Sequence, residues 1–234
     1  MSRYLGDDYI RFKKEIIKSS ATLFKIENNF EVLFKKHHKS TYCIALILTK
    51  LKNKFQEENK LIFLTEILSD FLTISKLSFL GFETPSLIIL RRIIENFYNR
   101  IYYFDHYIEY EHLNLGRNEY FPIDKLKKYF ETHPVFFESE DDVLKEYNDL
   151  LFNNYHQLCK VVHSKGKDSM NLASCLKDIR QSFDIDALFE QFTNIEQYII
   201  YLIYKFHKEL KFTQTEKNII ISVIPSNKRN LLNE

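Results

Sequence analysis

An arginine and a glutamate stand one helical turn apart in an apolar segment of this chain. Between Thr84 and His106 the sequence reads TPSLIILRRIIENFYNRIYYFDH, in which Arg91 and Glu95 are four residues apart. On an exposed helix such a pair adds only about 0.2 to 0.5 kcal/mol of stability. If a second helix covers the pair, it loses water and needs hydrogen bonds on every side. The pair is therefore either a structural link between helices or one wall of a polar pocket.

The rest of this segment shows which face of the helix is buried. At about 100 degrees per residue, Arg91, Glu95, Tyr98, Tyr102 and His106 lie along one edge of the apolar face. The arc that we predict to be buried holds Leu90, Ile93, Ile94, Phe97, Ile101 and Phe104.

A second group of reactive residue types lies in YHQLCKVVHSKG, residues 155–166. His156, Cys159 and His163 share one stripe of a helix. Imidazole and thiolate are ligands that zinc prefers, so a zinc site is one hypothesis, and a catalytic Cys–His dyad is another. The plainer interpretation is a half-buried cysteine and a histidine that complements the dipole at the helix end. We favour that interpretation and predict neither a metal nor a cofactor.

The amino-acid composition limits the classes of protein to which this chain can belong. The chain has 234 residues, 45% hydrophobic and 28% charged, with only four Gly and four Pro, which favours a few long helices in one domain over many short strands. Its 33 basic and 32 acidic residues nearly balance, so no global charge indicates nucleic acid or an anionic membrane. Three irregularly spaced cysteines indicate a reducing compartment. We expect a cytoplasmic protein without a signal peptide or membrane span.

Apolar residues recur at helical spacing along most of the chain. The first predicted helices run from about 8 to 38 and from an N-cap at Ser40 to about residue 55. The next one ends at Gly81, and its successor begins with Thr84 as N-cap and Pro85 as first helical residue and continues to about 110. We interpret 111–142 as an irregular insertion with one short helix near 124–130.

Helical periodicity resumes from Leu144 to Val162, where Gly166 is the expected stop. A short helix is predicted near 172–179, and the last long helix has the most regular seam. The tail, 211–234, is either more helix or a short strand. These helices predict an all-α antiparallel bundle with its core in about 8–210. The seam of the last helix consists of Leu188, Phe192, Ile195, Ile199, Leu202 and Phe206.

Two of these segments together resemble a known family. LRRIIENF, followed some sixty residues later by YHQLCKVVH, is similar to a widespread bacterial family of uncharacterised helical proteins with Arg-x-x-x-Glu and then Tyr-x-x-Leu-Ser and a histidine. Such proteins resemble the HEPN superfamily (higher eukaryotes and prokaryotes nucleotide-binding), and the resemblance covers about residues 60–210. Its motif positions here are Arg91, Glu95, Tyr155, Leu158 and His163, with Cys159 where the family has serine.

The resemblance implies a site. In the ribonuclease branch of HEPN proteins, an arginine and a histidine with four to six residues between them form a metal-independent site, commonly completed across a homodimer. There the histidine transfers a proton and the arginine stabilises phosphate charge. The one string of that form here is Arg100 to His106, whose side chains would lie about 120 degrees apart on a continuous helix. A pocket of Arg91, Glu95, Tyr155 and His163 is the better candidate.

Two functions follow from these observations. The first is a HEPN-like protein of a bacterial defence or toxin-type system, acting as a metal-independent ribonuclease or as a nucleotide-sensing module. It implies a homodimer, an RNA or nucleotide ligand and a protein partner from that system. The second is a non-catalytic helical module that binds a protein partner, in which Arg91 and Glu95 only hold helices in register.

Overall fold

The computed structural model describes residues 3–20, 28–117, 121–137, 142–163 and 184–232, and no strand occurs among them. The predicted all-α fold is therefore confirmed. Two 3₁₀ segments, Glu58–Lys60 and Ser226–Leu232, join the α-helices. The helices are α1 (Arg3–Ser20), α2 (Asn28–Lys54), α3 (Ile62–Phe79), α4 (Glu83–Asp105), α5 (Tyr107–Asn114), α6 (Ile123–Thr132), α7 (Pro134–Phe137), α8 (Asp142–Val162), α9 (Ile185–Phe206) and α10 (Gln214–Val223).

Five long helices form a closed ring in the order α2, α3, α4, α8, α9, with α9 returning to α2. Neighbours in this ring are antiparallel from α2 through α9. For example, Asp70 of α3 binds Arg92 of α4, while eight residues later in α3 Ser78 meets Ser86, which precedes Arg92. Four such pairs confirm the predicted antiparallel packing.

The closing pair of the ring is parallel. Phe34 of α2 packs on Phe189 of α9, and His37, one turn later, pairs with Glu196 further along α9. Both contacts advance in the same direction along the two helices. A ring with an odd number of helices must contain one parallel pair if all other neighbours alternate, so this geometry follows from the number of helices.

The core lies inside the ring, and the periodicity of α9 and α4 locates it correctly. All six predicted seam residues of α9 are buried. In α4 the predicted buried arc is also buried except for Phe104, which is half-buried. The large apolar side chains of these seams favour folding because they leave water almost completely.

Two predicted helix starts are wrong. Ser40 lies inside α2, where its hydroxyl donates to the carbonyl of Lys36 at 3.2 Å instead of capping a helix. Thr84 is the second residue of α4 and the N-cap is Phe82. Pro85 is still in the first turn, where backbone N–H groups have no partner inside the helix, so the proline costs no hydrogen bond.

The predicted end of α4 and the predicted irregular insertion also need correction. α4 ends at Asp105, because the backbone of His106 (φ −111, ψ 70) is not helical, and α5 begins directly afterwards. The segment 111–142 contains the end of α5 as well as α6 and α7, so it is more helical than expected. The predicted helix at 172–179 and the stop at Gly166 lie outside the described residues.

The tail is helical rather than extended. α10 begins with a capping box, in which the Thr213 hydroxyl accepts from the Glu216 N–H and the Glu216 carboxylate accepts from the Thr213 N–H. The helix packs on α2, where Ile220 is fully buried. In the part of the chain that the structure describes, no helix is long and apolar enough to cross a membrane.

Two glycines in different backbone conformations provide a test of these helix boundaries. Gly81 follows Leu80, the C-cap of α3, and with φ 78 it has the left-handed backbone that we predicted for it, so Gly81→Ala should lower the free energy of unfolding by about 1 to 2 kcal/mol. Gly6 lies in α1, and a methyl group there meets nothing within 4 Å. Gly6→Ala should therefore raise the free energy of unfolding by about 0.5 to 1 kcal/mol. Urea denaturation measures both, and shifts in the same direction would contradict these assignments.

Candidate functional site

The antiparallel packing of α4 and α8 brings three of the predicted site residues together. Arg91 and Glu95 lie one turn apart on α4, and Tyr155 reaches them from α8. The Arg91 Nη2 group donates to Glu95 Oε1 at 2.6 Å and to the Tyr155 hydroxyl at 3.3 Å. That hydroxyl donates to the same Glu95 oxygen at 3.1 Å. The three side chains form a closed hydrogen-bonded triangle, which we call the Arg91 cluster.

The Arg91 cluster is partly buried, and burial affects the pKa values of its side chains. Side-chain exposure is 23% for Arg91 and 15% for Glu95. Burial, reinforced by the negative charge of Glu95, raises the pKa of Tyr155 to about 12, so the phenol is neutral at physiological pH. Burial alone would lower the pKa of Arg91, but its hydrogen bond to Tyr155 and the charge of Glu95 outweigh that effect and raise it. The cluster therefore holds one cation, one anion and one neutral donor.

The three residues of the zinc hypothesis lie in different surroundings. Cys159 is half-buried, and its side chain interacts with the Tyr155 hydroxyl, as its position one turn further along α8 requires. His156 is exposed, with its ring edge-on to Phe152 at 4.4 Å between centroids. In the described ranges, no group of three or more His, Cys, Asp or Glu residues is placed to hold a metal ion.

His163, the fourth residue of the predicted pocket, stands just beyond the end of α8. It is exposed, and its backbone N–H donates to the carbonyl of Cys159 at 3.0 Å. Eight residues separate it from Tyr155, which corresponds to roughly 12 Å along a helix axis. The structure thus brings the first three residues of the predicted pocket together, whereas His163 lies just beyond the C-terminal end of α8.

The alternative pair, Arg100 and His106, occupies two different environments. Arg100 is completely buried, with its guanidinium carbon 4.3 Å from the centroid of the Phe104 ring and its Nη2 group 2.9 Å from His207 Nε2. His106 stacks on Tyr102 with 4.1 Å between ring centroids and donates from Nδ1 to the carbonyl of the same residue at 2.8 Å. Because α4 ends at residue 105, the continuous helix assumed for this pair does not exist.

Sequence reasoning missed the partner of Arg100. Burial, together with the charge of Arg100, lowers the pKa of His207 to about 4, and burial lowers the pKa of Arg100 to about 9. Neutral His207 accepts from Arg100 through Nε2 and donates through Nδ1 to Glu209 at 3.4 Å. Glu209 also lies 3.1 Å from Lys54 Nζ. These contacts form a chain of polar side chains from the core to the surface. No spacing pattern in the sequence predicts them.

A second buried polar group was also missed. His37 of α2 pairs through Nδ1 with Glu196 of α9 and lies 2.5 Å through Nε2 from the Ser75 hydroxyl of α3. This order of serine, histidine and carboxylate is that of a hydrolase triad. However, all three residues are buried, and the Ser75 hydroxyl donates to the carbonyl of Phe71 at 2.9 Å. It therefore has no free proton to give and no access to substrate, so the group is a link between three helices.

No protein-family model, curated protein or solved structure matches this chain, so its function has to be inferred from its own residues.

A double-mutant cycle tests the strength of the Arg91 cluster. We expect Arg91→Ala and Glu95→Ala to be coupled by about 0.5 to 2 kcal/mol in the free energy of unfolding, because removing either partner leaves the other partly buried without its counter-charge. Lys35 and Glu31 have the same spacing but a distance of 3.7 Å and 51% exposure of the lysine, so they are the control. Their coupling should stay below about 0.5 kcal/mol. Equal coupling in both pairs would show that partial burial beneath Tyr155 does not strengthen the Arg91–Glu95 interaction.

The depressed pKa of His207 predicts acid sensitivity. Between the ordinary value of about 6.5 and the folded value of about 4, the unfolded chain binds more protons than the folded one, so stability falls as pH falls through this window. We expect a loss of about 1 to 3 kcal/mol from this group between pH 6.5 and 4. His207→Gln keeps an acceptor for Arg100 and should flatten the dependence in urea titrations. His112→Gln, at an exposed position, controls for the general loss of an imidazole. A slope unchanged by His207→Gln would exclude this residue as its source.

Proposed function

We propose that this chain is a HEPN-like helical bundle that works in the bacterial cytoplasm as part of a defence or toxin-type system. In this proposal it binds a protein partner and does not cleave RNA. The observation that carries the proposal is the state of Arg91, whose guanidinium lies 2.6 Å from the Glu95 carboxylate. A phosphate would have to compete with that carboxylate for the same charge-assisted hydrogen bond, so this arginine is a poor receptor for RNA.

The protonation states in the Arg91 cluster also favour binding over catalysis. Tyr155 keeps its proton because its pKa is raised, and Arg91 stays charged for the same reason. Proton transfer would then fall to His156, whose ring centroid lies 5.6 Å from that of Tyr155, or to His163, about 12 Å further along α8 by helix geometry. General acid–base catalysis requires a group within hydrogen-bond reach of the reacting atoms, directly or through one water. Among the described residues, neither histidine is hydrogen-bonded to a member of the cluster.

Burial of Arg100 supports the same conclusion for the second candidate pair. Its side chain has no exposed surface, and it is held between Phe104 and His207. An arginine that stabilises a phosphate in a transition state has to touch that phosphate. The Arg100 to His106 string therefore offers no guanidinium to an RNA backbone.

An exposed apolar edge of α5 supports a protein partner. Tyr107 and Ile108 at the start of α5 and Leu115, the residue just after its end, are 53%, 67% and 59% exposed, and on helical geometry they span an arc of about 100 degrees that also holds Glu111. Isolated exposed apolar residues are common, but three within one short helix and its C-cap are typical of a contact surface. We place the partner contact on this edge.

Capture of a partner from the native host tests the binding function. We expect a defence or toxin-system protein to co-purify with the wild-type chain and to be lost with Ile108→Glu, because a carboxylate would have to be desolvated in the contact. Ile10→Glu is the matched control, since Ile10 is 65% exposed on α1, and it should retain the partner. Equal retention by both variants would remove α5 from the proposal, and absence of any such partner would overturn it.

A ribonuclease is the second candidate function, supported by a separate observation. The Nε atom of Arg91 is buried and has no hydrogen-bond partner in the described part of the chain, and exposed His163 stands on the continuation of the helix that carries Tyr155. If a homodimer brought a second His163 to Arg91, the site of the family resemblance would be complete.

Purified protein incubated with RNA in EDTA distinguishes the two functions. The binding proposal predicts no cleavage above that of a chain carrying Arg91→Ala and His163→Ala together. Cleavage that is lost in either single variant, and unaffected by EDTA, would establish the ribonuclease and overturn the binding proposal. His106→Ala, measured beside them, tests the remaining pair.

A further inference from the structure

A cavity of about 430 Å³ lies between α2, α9 and the segment that follows α10. This cavity is separate from the Arg91 cluster, which lies between α4 and α8. Three cations line it: Lys36 and Lys39 from consecutive turns of α2, and Arg229 from the C-terminal 3₁₀ segment. Glu190 is the one carboxylate among its lining residues, so the formal charge of the lining is 3 − 1 = +2.

Within the described residues, these three cations form no ion pair, whereas Lys50 and Lys54 of α2 do. Lys50 binds Glu216 at 2.9 Å and Lys54 binds Glu209 at 3.1 Å. Within the described residues, by contrast, no ion pair involves Lys36, Lys39 or Arg229. Three cations around a concave space with a single carboxylate, Glu190, among the described lining residues leave a net positive charge, so an anion bound there would be stabilised by all three.

The position of Arg229 is fixed by the protein. Its Nε group donates to the carbonyl of Ile224 at 2.9 Å, which anchors the guanidinium at the cavity and leaves the two Nη groups for a ligand. A planar guanidinium with two free donors matches the oxygens of a phosphate. The cavity also presents the side-chain amides of Asn194 and Gln197, which carry further N–H donors.

The remaining walls indicate that the ligand is larger than a simple ion. Ser40 and Thr193 are buried in the floor, and their hydroxyls already donate to the carbonyls of Lys36 and Phe189. The Ser40 hydroxyl also bonds to the Glu196 carboxylate, so neither hydroxyl has a free proton for a ligand, which suits an uncharged polar part of a ligand better than an anion. Apolar side chains, among them those of Val223 and Ile224, complete the lining. The volume lies within the range of small-molecule sites, about 300 to 1,000 Å³.

We propose that this cavity binds a small organic molecule that carries a phosphate group. Lys36, Lys39 and Arg229 hold the phosphate, whose double negative charge matches the lining charge of +2. The uncharged body of the ligand packs against the hydroxyl floor and the apolar wall. This binding site adds to the proposed function and does not depend on it, because none of its residues belongs to the Arg91 cluster or to α5.

Calorimetric titration with phenyl phosphate tests this site on the full chain. At a fixed ionic strength, we expect phenyl phosphate to bind more tightly than inorganic phosphate, because the ring occupies the apolar part, and phenol to show no binding. Lys39→Gln and Arg229→Gln should each weaken the affinity about tenfold or more, the effect of one lost charge-assisted contact. Lys76→Gln, at an exposed position of α3 outside the cavity, should leave the affinity unchanged.

Each other outcome is decisive. Absence of heat for phenyl phosphate at millimolar concentration, or equal weakening by Lys76→Gln, would overturn the proposal. Binding of phenol as tightly as phenyl phosphate would also overturn it, because the cavity would then select apolar rings and not anions. Urea denaturation of each variant confirms folding, and if Arg229→Gln alone unfolds the chain, Lys39→Gln decides the question.

Discussion

A buried imidazole joins three helices of this protein at one point. His37 contacts a carboxylate of α9 on one side and a hydroxyl of α3 on the other, and all three groups are enclosed. A polar group removed from water without partners costs several kcal/mol, about 2 to 7 by transfer data, so each of these helices has to keep the register that supplies its partner. Apolar seams can slide by a turn and still bury their side chains. This contact cannot, so it fixes the register of α2, α3 and α9 relative to one another.

The Arg91 cluster and the Arg100 contact apply the same constraint at two other interfaces. In the cluster, a cation, an anion and a phenol satisfy one another at the edge of α4 and α8. At the other end of α4, a fully buried arginine depends on a neutral histidine and, through it, on Glu209 near the surface. In each case an arginine inside an apolar helix hydrogen-bonds a neutral residue that is far away in sequence, Tyr155 for Arg91 and His207 for Arg100. Such groups define which helices are neighbours, and their hydrogen-bonding atoms bond to one another.

Apolar spacing was sufficient to predict the all-α fold and the inward faces of α4 and α9, because burial acts on each helix separately, but it placed a helix at 8–38 where the structure has α1 (Arg3–Ser20) and α2 (Asn28–Lys54). The seam of α9 and the buried arc of α4 are both present in the structure. Boundaries were less predictable, since Ser40 has a residue type that suits both a cap and a helix interior, and only its bond to Lys36 distinguishes the two. The meeting of Arg91 and Glu95 with Tyr155 was expected from the family resemblance. The contacts of His37 and His207 were not, because they depend on how separate helices align, which no local pattern contains.

The parallel pair of α2 and α9 has a consequence for how the chain is made. The other neighbours in the ring are adjacent in the order of the five helices, so each can pack as soon as the next helix is synthesised. His37 and Glu196, however, are 159 residues apart, and the ring cannot close before α9 has left the ribosome. Until then α2 and α8 present apolar faces to the cell, and contacts of such large sequence separation form slowly. The nascent chain therefore passes through an incompletely folded stage in which apolar surface is exposed. During this stage a chaperone has the longest time to bind.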